Sequence, residues 1–148
     1  MKNPKVLILA VIDASEQQTV NGLTRMQKLV ILTQREIEGI DSQAYSFDPH
    51  EYGPFSKGLY RDLQALITNG YVEKTLMDTP GSTERHEYAL TADGQELFDR
   101  YCRVLERPAS RDEIRDIVSE YEGMPLLQLI KRVTHRYPET GVNCTIVD

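Results

Sequence analysis

From Pro4 to Ser15 nearly every position is apolar, and Asn3 followed by Pro4 offers an N-cap and a first helical residue. The stretch therefore predicts a helix apolar on all sides, which has to be central to the fold. The run Val6 to Ile12 also suits a buried strand, but the cap favours helix. Gln17, Gln18, Asn21 and Gly22 read as a polar turn. Thr24 and Gln27 have capping-box spacing, and Met26, Leu29, Val30, Thr33 and Ile37 recur at helical intervals, predicting an amphipathic helix that ends near Glu38 with Gly39 just past it.

Tyr45 to Phe47 suits a short strand, and Pro49, Gly53 and Pro54 force a non-helical approach to the next element. Ser56 then caps a third helix whose buried stripe is Leu59, Leu63, Leu66 and Ile67, stopped by Asn69-Gly70. Tyr71 to Met77 and Arg85 to Leu90 are rich in strand formers, and Asp78, Pro80, Gly81 and Ser82 between them have turn chemistry, so the pair predicts a hairpin. Thr91 caps a fourth helix with the stripe Leu97, Phe98, Tyr101, Cys102 and Leu105.

Pro108 separates this unit from a C-terminal appendage. There Ser110 and Glu113 have capping-box spacing ahead of Ile114, Ile117, Val118 and Tyr121, Gly123 stops the helix, and Pro125 starts another carrying Leu126, Leu129, Ile130 and Val133. The tail from Pro138 to Asp148 has no periodicity. The expected organisation is a domain over 1–107, a helical hairpin over 108–137 and a loose tail over 138–148, in a mainly α fold with a small β-hairpin.

Helix, helix, helix, two-stranded hairpin, helix is the order of a winged helix, a helix-turn-helix variant whose third helix enters a DNA groove while the hairpin meets the backbone. Tyr88-Ala89-Leu90-Thr91-Ala92-Asp93-Gly94 resembles the Y-x-L-T-x-x-G segment of MarR-like and PadR-like winged-helix regulators. Met26 to Leu32 and Tyr52-Gly53-Pro54-Phe55-Ser56 resemble the YwgA-like family, and the Q-K-L helix and the Gly-Pro before the third helix are similar to the Panacea (SocA-like) antitoxin domain. The resemblance covers about residues 23–91. It implies a prokaryotic regulator, or an antitoxin-type adaptor that neutralises or delivers a partner protein.

If the third helix reads duplex DNA, the residues off its buried stripe are Ser56, Lys57, Tyr60, Arg61 and Gln64, with Arg25 and Lys28 holding phosphates from the preceding helix and Lys74, Arg85 and His86 on the wing. The same residues also suit the solvated faces of amphipathic elements, since Asp62, Glu73, Glu84 and Glu87 are interleaved with them. Charge narrows the choice. The formal net charge is -6, and up to Glu106 eleven Lys or Arg stand against sixteen Asp or Glu, leaving -5. Non-specific attraction to phosphate is therefore expected to be weak, which favours a specific operator or a protein partner. The apolar faces of the appendage need a cover. One is the chain's own core; the other is a homodimer through Ile114, Ile117, Tyr121, Leu126 and Ile130 that spaces two recognition helices on a palindrome.

No enzymatic constellation is expected. His50, His86 and His135 fall on separate elements, away from the spacing a zinc hydrolase needs, and there is no Gly-rich phosphate loop, nucleophile elbow or Cys-His arrangement. His50 and Tyr52 more naturally pack over the start of the third helix or help form its binding surface. Cys102 and Cys144 are too few for a disulfide framework, and Cys102 reads as a buried thiol. No metal or cofactor is expected. The apolar N-terminal run stops at Asp13, too short for a membrane span and a poor signal peptide, so a cytoplasmic location without membrane contact is expected.

Overall fold

The apolar N-terminal run is a helix, α1 (Lys5–Ala14), in which every residue from Val6 to Asp13 is buried. A computed structural model of the chain describes residues 4–37, 40, 44–50, 53–77, 85–104 and 109–140, so Asn3, Glu38, Gly39, Glu51, Tyr52, the hairpin tip, Leu105, Pro108 and the tail from 141 with Cys144 lie outside the described residues, while Pro138–Thr140 of the expected tail forms a short 3-10 turn. α1 is surrounded by α2 (Leu23–Glu36), α3 (Lys57–Thr68), α4 (Ala92–Val104) and α5 (Ala109–Tyr121), which explains why it has no polar face. Among the described residues no helix is long and apolar enough to cross a membrane.

The stretch expected to be a polar turn holds a strand. Gln17 and Gln18 both take left-handed backbone angles (φ 57° and 54°) that swing the chain out of α1 into β1 (Thr19–Asn21). β1 pairs with β3 (Arg85–Leu90) through Thr19↔Ala89, Val20↔Tyr88 and Asn21↔Glu87. β3 pairs on its other side with β2 (Val72–Met77), giving a three-stranded antiparallel sheet in the order β1-β3-β2. The expected hairpin is present, widened by a strand whose one buried side chain is Val20. The order α1-β1-α2-α3-β2-β3-α4 is that of a winged helix.

Three local expectations are corrected. α2 begins after Gly22 with no side-chain cap, so Thr24 and Gln27 form no capping box; Gln27 faces inward instead. Tyr45 to Phe47 is not a strand, and between α2 and α3 the described residues make only the bridge Asp48↔Phe55. Ser110 lies inside α5 and is not its N-cap. The caps expected from Ser56 and Thr91 are present: Leu59 N–H donates to Ser56 Oγ (3.1 Å) and Gly94 N–H donates to Thr91 Oγ1 (3.0 Å).

The start of α4 also accounts for the glycine in the Tyr88–Gly94 segment. Thr91 N–H and Oγ1 donate to the carbonyls of Tyr71 (3.1 Å) and Gly70 (2.6 Å), pressing the first turn of α4 against the end of α3. A Cβ on Gly94 would lie 1.9 Å from the Tyr71 carbonyl oxygen, well inside contact distance.

α5 and α6 (Leu126–Arg136) do not form an arm. Ile114, Val118, Tyr121, Leu129, Ile130 and Val133 are buried, α5 packs on α1 and α2, and α6 packs on α2, all around the core that α1 threads. Of the five residues expected to make a dimer, Ile114, Tyr121 and Ile130 are sealed inside and Ile117 and Leu126 are half-buried. The apolar faces are covered by the chain itself. Polar ties fix the docking. Asp13, the one acid of α1, accepts from Arg111 of α5 (3.3 Å) and from Gln18 and Gln95 (3.2 Å each), and Tyr137 Oη donates to Glu36 at the end of α2 (2.7 Å).

Candidate nucleic-acid interface

α2 uses its inner face to fix the segment that delivers α3. Gln27 and Gln34 are two turns apart on one side of α2, and each side-chain amide pairs with a main-chain peptide as a neighbouring strand would. Gln27 Nε2 donates to the Ser56 carbonyl (3.0 Å) while Ser56 N–H donates to Gln27 Oε1 (2.8 Å). Gln34 does the same with Tyr45, at 2.8 Å in each direction. Between them, Lys28 is 1% exposed and its ammonium donates to the Pro54 carbonyl (2.9 Å). Gly53 packs on this lysine at φ +90°, a backbone angle that L side chains rarely adopt, and a Cβ there would sit 3.1 Å from Lys28 Cε. The Q-K motif of α2 and the Gly-Pro before α3 thus form one latch.

The latch corrects part of the expected DNA surface. Lys28 points into the protein and does not reach a phosphate. Arg25 donates to the carbonyls of Glu122 (3.2 Å) and Met124 (2.9 Å) at the end of α5, so its guanidinium caps a helix. Ser56 is buried, with its hydroxyl spent on the cap of α3.

What remains lies along the outside of α3. The buried stripe is Leu59, Leu63 and Leu66; opposite it, Lys57, Arg61, Gln64 and Thr68 follow one another at i, i+4, i+7 and i+11, with Tyr60 beside them. Lys57, Tyr60, Arg61 and Thr68 are exposed and Gln64 is half-buried. The single acid of α3, Asp62, sits to the side of this line and accepts from Tyr45 Oη (2.7 Å). Burial and this hydrogen bond both push the Tyr45 hydroxyl far above its ordinary pKa. The outward line therefore carries no carboxylate. Among the described residues, Lys57, Arg61 and Lys74 have no ion-pair partner.

The hairpin sorts its charges by alternation. Cross-strand partners share a face, so Val72–Leu90, Lys74–Tyr88 and Leu76–His86 lie on one side of the sheet, and Glu73–Ala89 and Thr75–Glu87 on the other. Val72 and Tyr88 are buried, which makes the first face the one turned to the helices. Lys74 and His86 thus share the face turned to the helices, while Glu73 and Glu87 are on the other. Lys74 is exposed, His86 is half-buried, and the side chain of Arg85 lies outside the described residues.

Sequence reasoning missed Thr68, which the helical repeat from Lys57 reaches, and Leu76, one of the exposed large hydrophobic residues together with Tyr60. His50 was expected to pack over the start of α3, but its ring partner there was not foreseen: the His50 and Phe55 rings lie 5.2 Å apart and the Phe55 and Tyr60 rings 6.4 Å apart. Among the described residues no group of three His, Cys, Asp or Glu is arranged to hold a metal, and Cys102 is a half-buried thiol whose pKa burial pushes up. No family model matches the chain, and comparison with curated proteins returns no relative.

Proposed function

We propose that the chain is a winged-helix transcription regulator that binds duplex DNA, laying the outer line of α3 in a groove with the hairpin against the backbone. The observation that carries this reading is the clearing of acid from one face of an acidic protein. Lys57, Tyr60, Arg61, Gln64 and Thr68 line α3 without a carboxylate, and strand alternation puts Lys74 and His86 on one face of the hairpin, apart from Glu73 and Glu87. Three cations with no ion-pair partner among the described residues are the supply that phosphate contacts need, and a net charge of -6 keeps binding dependent on this local patch.

The test is the anisotropy of a labelled random-duplex pool titrated with the protein at low salt. Binding is expected, falling as salt rises, and Lys57→Glu with Arg61→Glu abolishes it. Absence of binding by the native protein at low salt overturns the reading.

A second reading is an adaptor for a protein partner, and a specific feature favours it. Helix-turn-helix proteins join their two helices by about 3–4 residues. Here residues 37–56 separate α2 from α3 in the chain, and their described part includes the bridge Asp48↔Phe55 just before α3, whose N-terminal end is the one that enters the groove in those proteins. Tyr60 on α3 and Leu76 on the hairpin, 42% and 58% exposed, are apolar anchors for such a partner.

A further inference from the structure

We infer that Gln64 is the residue of α3 that reads a base, and that the base is adenine. The inference rests on the DNA-binding reading above and adds a specificity to it. The Gln64 side-chain amide is the odd group on the outer line of α3: its Nε2 is shielded from solvent yet makes no hydrogen bond. No other polar, ionic or ring interaction engages this side chain among the described residues. Shielding a donor without a partner opposes folding, and an apolar side chain of the same length would serve the helix better. The amide is therefore poised to gain its hydrogen bonds from something that arrives from outside.

Its neighbours indicate what arrives. Arg61 stands one turn before Gln64 on the same line and Lys57 two turns before it, both exposed and without ion-pair partners among the described residues. Two cations in line along one helix suit successive phosphates, and a carboxamide beside them faces the base edges between those phosphates. A glutamine amide matches one base best. Its Nε2 donates to adenine N7 while its Oε1 accepts from the adenine N6 amine. Turning the amide outward takes only side-chain rotation, a fast motion at a helix surface.

The experiment is selection of bound sequences from a random duplex pool by the native protein and by Gln64→Met, which keeps the length and removes the hydrogen bonds. The native protein is expected to enrich a motif with an A·T pair at one fixed position. In Gln64→Met the preference at that position falls by about tenfold while the rest of the motif and the salt dependence stay as they were. The melting temperature of the variant is expected to equal or exceed that of the native protein, since it loses a shielded donor that had no partner. An unchanged preference for adenine in Gln64→Met overturns the inference and leaves the DNA-binding reading intact. So does a lower melting temperature with a uniform loss of affinity for all sequences, because the amide is then a structural group. If the native protein enriches no motif and binds no duplex, the DNA-binding reading falls and the inference with it.

Discussion

The amide of Gln27 is joined to the main chain of Ser56 in both directions, at 3.0 and 2.8 Å, so a side chain of α2 serves the residue that caps α3 as a second strand would. Both residues are buried, and water cannot replace the pair. Gln27→Leu keeps the apolar bulk but leaves the Ser56 N–H without a partner and removes one of two hydrogen bonds from the Ser56 carbonyl, which still accepts from Tyr60 N–H (3.2 Å). A buried group left so costs about 1–3 kcal/mol, and urea unfolding is expected to report a loss of that size. A loss below about 1 kcal/mol, the ordinary worth of a single hydrogen bond, would show that the latch is not what holds this segment.

Gly94 reverses a general rule. Replacing a glycine in a helix by alanine ordinarily stabilises by about 0.5–1 kcal/mol. Here the added Cβ meets the Tyr71 carbonyl oxygen at 1.9 Å, and that oxygen also accepts from Thr91 N–H, so neither group can retreat without breaking the junction of β2, β3 and α4. Gly94→Ala is expected to destabilise by about 1–3 kcal/mol. Thermal melting of the variant decides it, and any rise in the midpoint refutes the close approach.

These two residues also illustrate how far the sequence is readable. The stripes of α3 and α5 and the caps Ser56 and Thr91 are local, set by spacing along one helix, and the sequence displays them directly. Gln27 is different: its spacing from Thr24 suits a capping box equally well, and only the tertiary fold brings Ser56 to it. Lys28 and Arg25 resemble surface cations for the same reason, because their acceptors are carbonyls about 26 and 97 to 99 residues away, which no pattern along the chain marks. β1 escaped notice because it has three residues and one buried side chain, too short for an alternation to register. On the candidate interface, Lys57, Tyr60, Arg61 and Gln64, and the place of Asp62 beside their line, follow from helical phase, whereas the hydrogen bond that engages Asp62 comes from a tyrosine 17 residues earlier.

The tyrosine that holds Asp62 links stability to alkaline pH. Tyr45 and Tyr137 are raised well above their ordinary value of 10.0, in each case first by burial and then by a hydrogen bond to a carboxylate, Asp62 or Glu36. Between the unfolded and folded values the unfolded chain has lost a proton that the folded chain keeps, so stability falls as pH rises. The contribution is complete below about pH 10 and declines above it by about 1.4 kcal/mol per pH unit for each group. Tyr45→Phe is expected to make that alkaline decline shallower, measured by urea unfolding at stepped pH. An equally steep decline in the variant would remove Tyr45 from the account.

The stripe of α5 separates a core helix from a dimerisation arm. Ile114 is 1% exposed against α1 and α2, so Ile114→Ala opens a cavity within one chain and is expected to cost about 2–5 kcal/mol. Because that cover is intramolecular, the melting midpoint of both proteins is expected to be independent of protein concentration. A midpoint that climbs with concentration, together with a lower association constant for Ile114→Ala in sedimentation, would return this face to an interface between copies.

Lys28 and Lys57 carry the same charge on neighbouring elements and are expected to fail in opposite ways. Lys57, Arg61 and Lys74 are exposed and without ion-pair partners among the described residues, so under the DNA-binding reading each releases about one counterion and the logarithm of affinity falls with the logarithm of salt at a slope of about -3. Lys57→Ala, Arg61→Ala and Lys74→Ala each make that slope shallower by about 1 and leave the melting temperature in place. Lys28→Met keeps the slope, because its ammonium is enclosed against the Pro54 carbonyl, but lowers the melting temperature by releasing the approach to α3. The paired readout keeps a folding defect from passing as a binding defect. If Lys28→Met lowers the slope as much as Lys57→Ala does, the enclosed placement of Lys28 is wrong; if no single substitution on α3 or the hairpin moves the slope, that surface is not where duplex DNA binds.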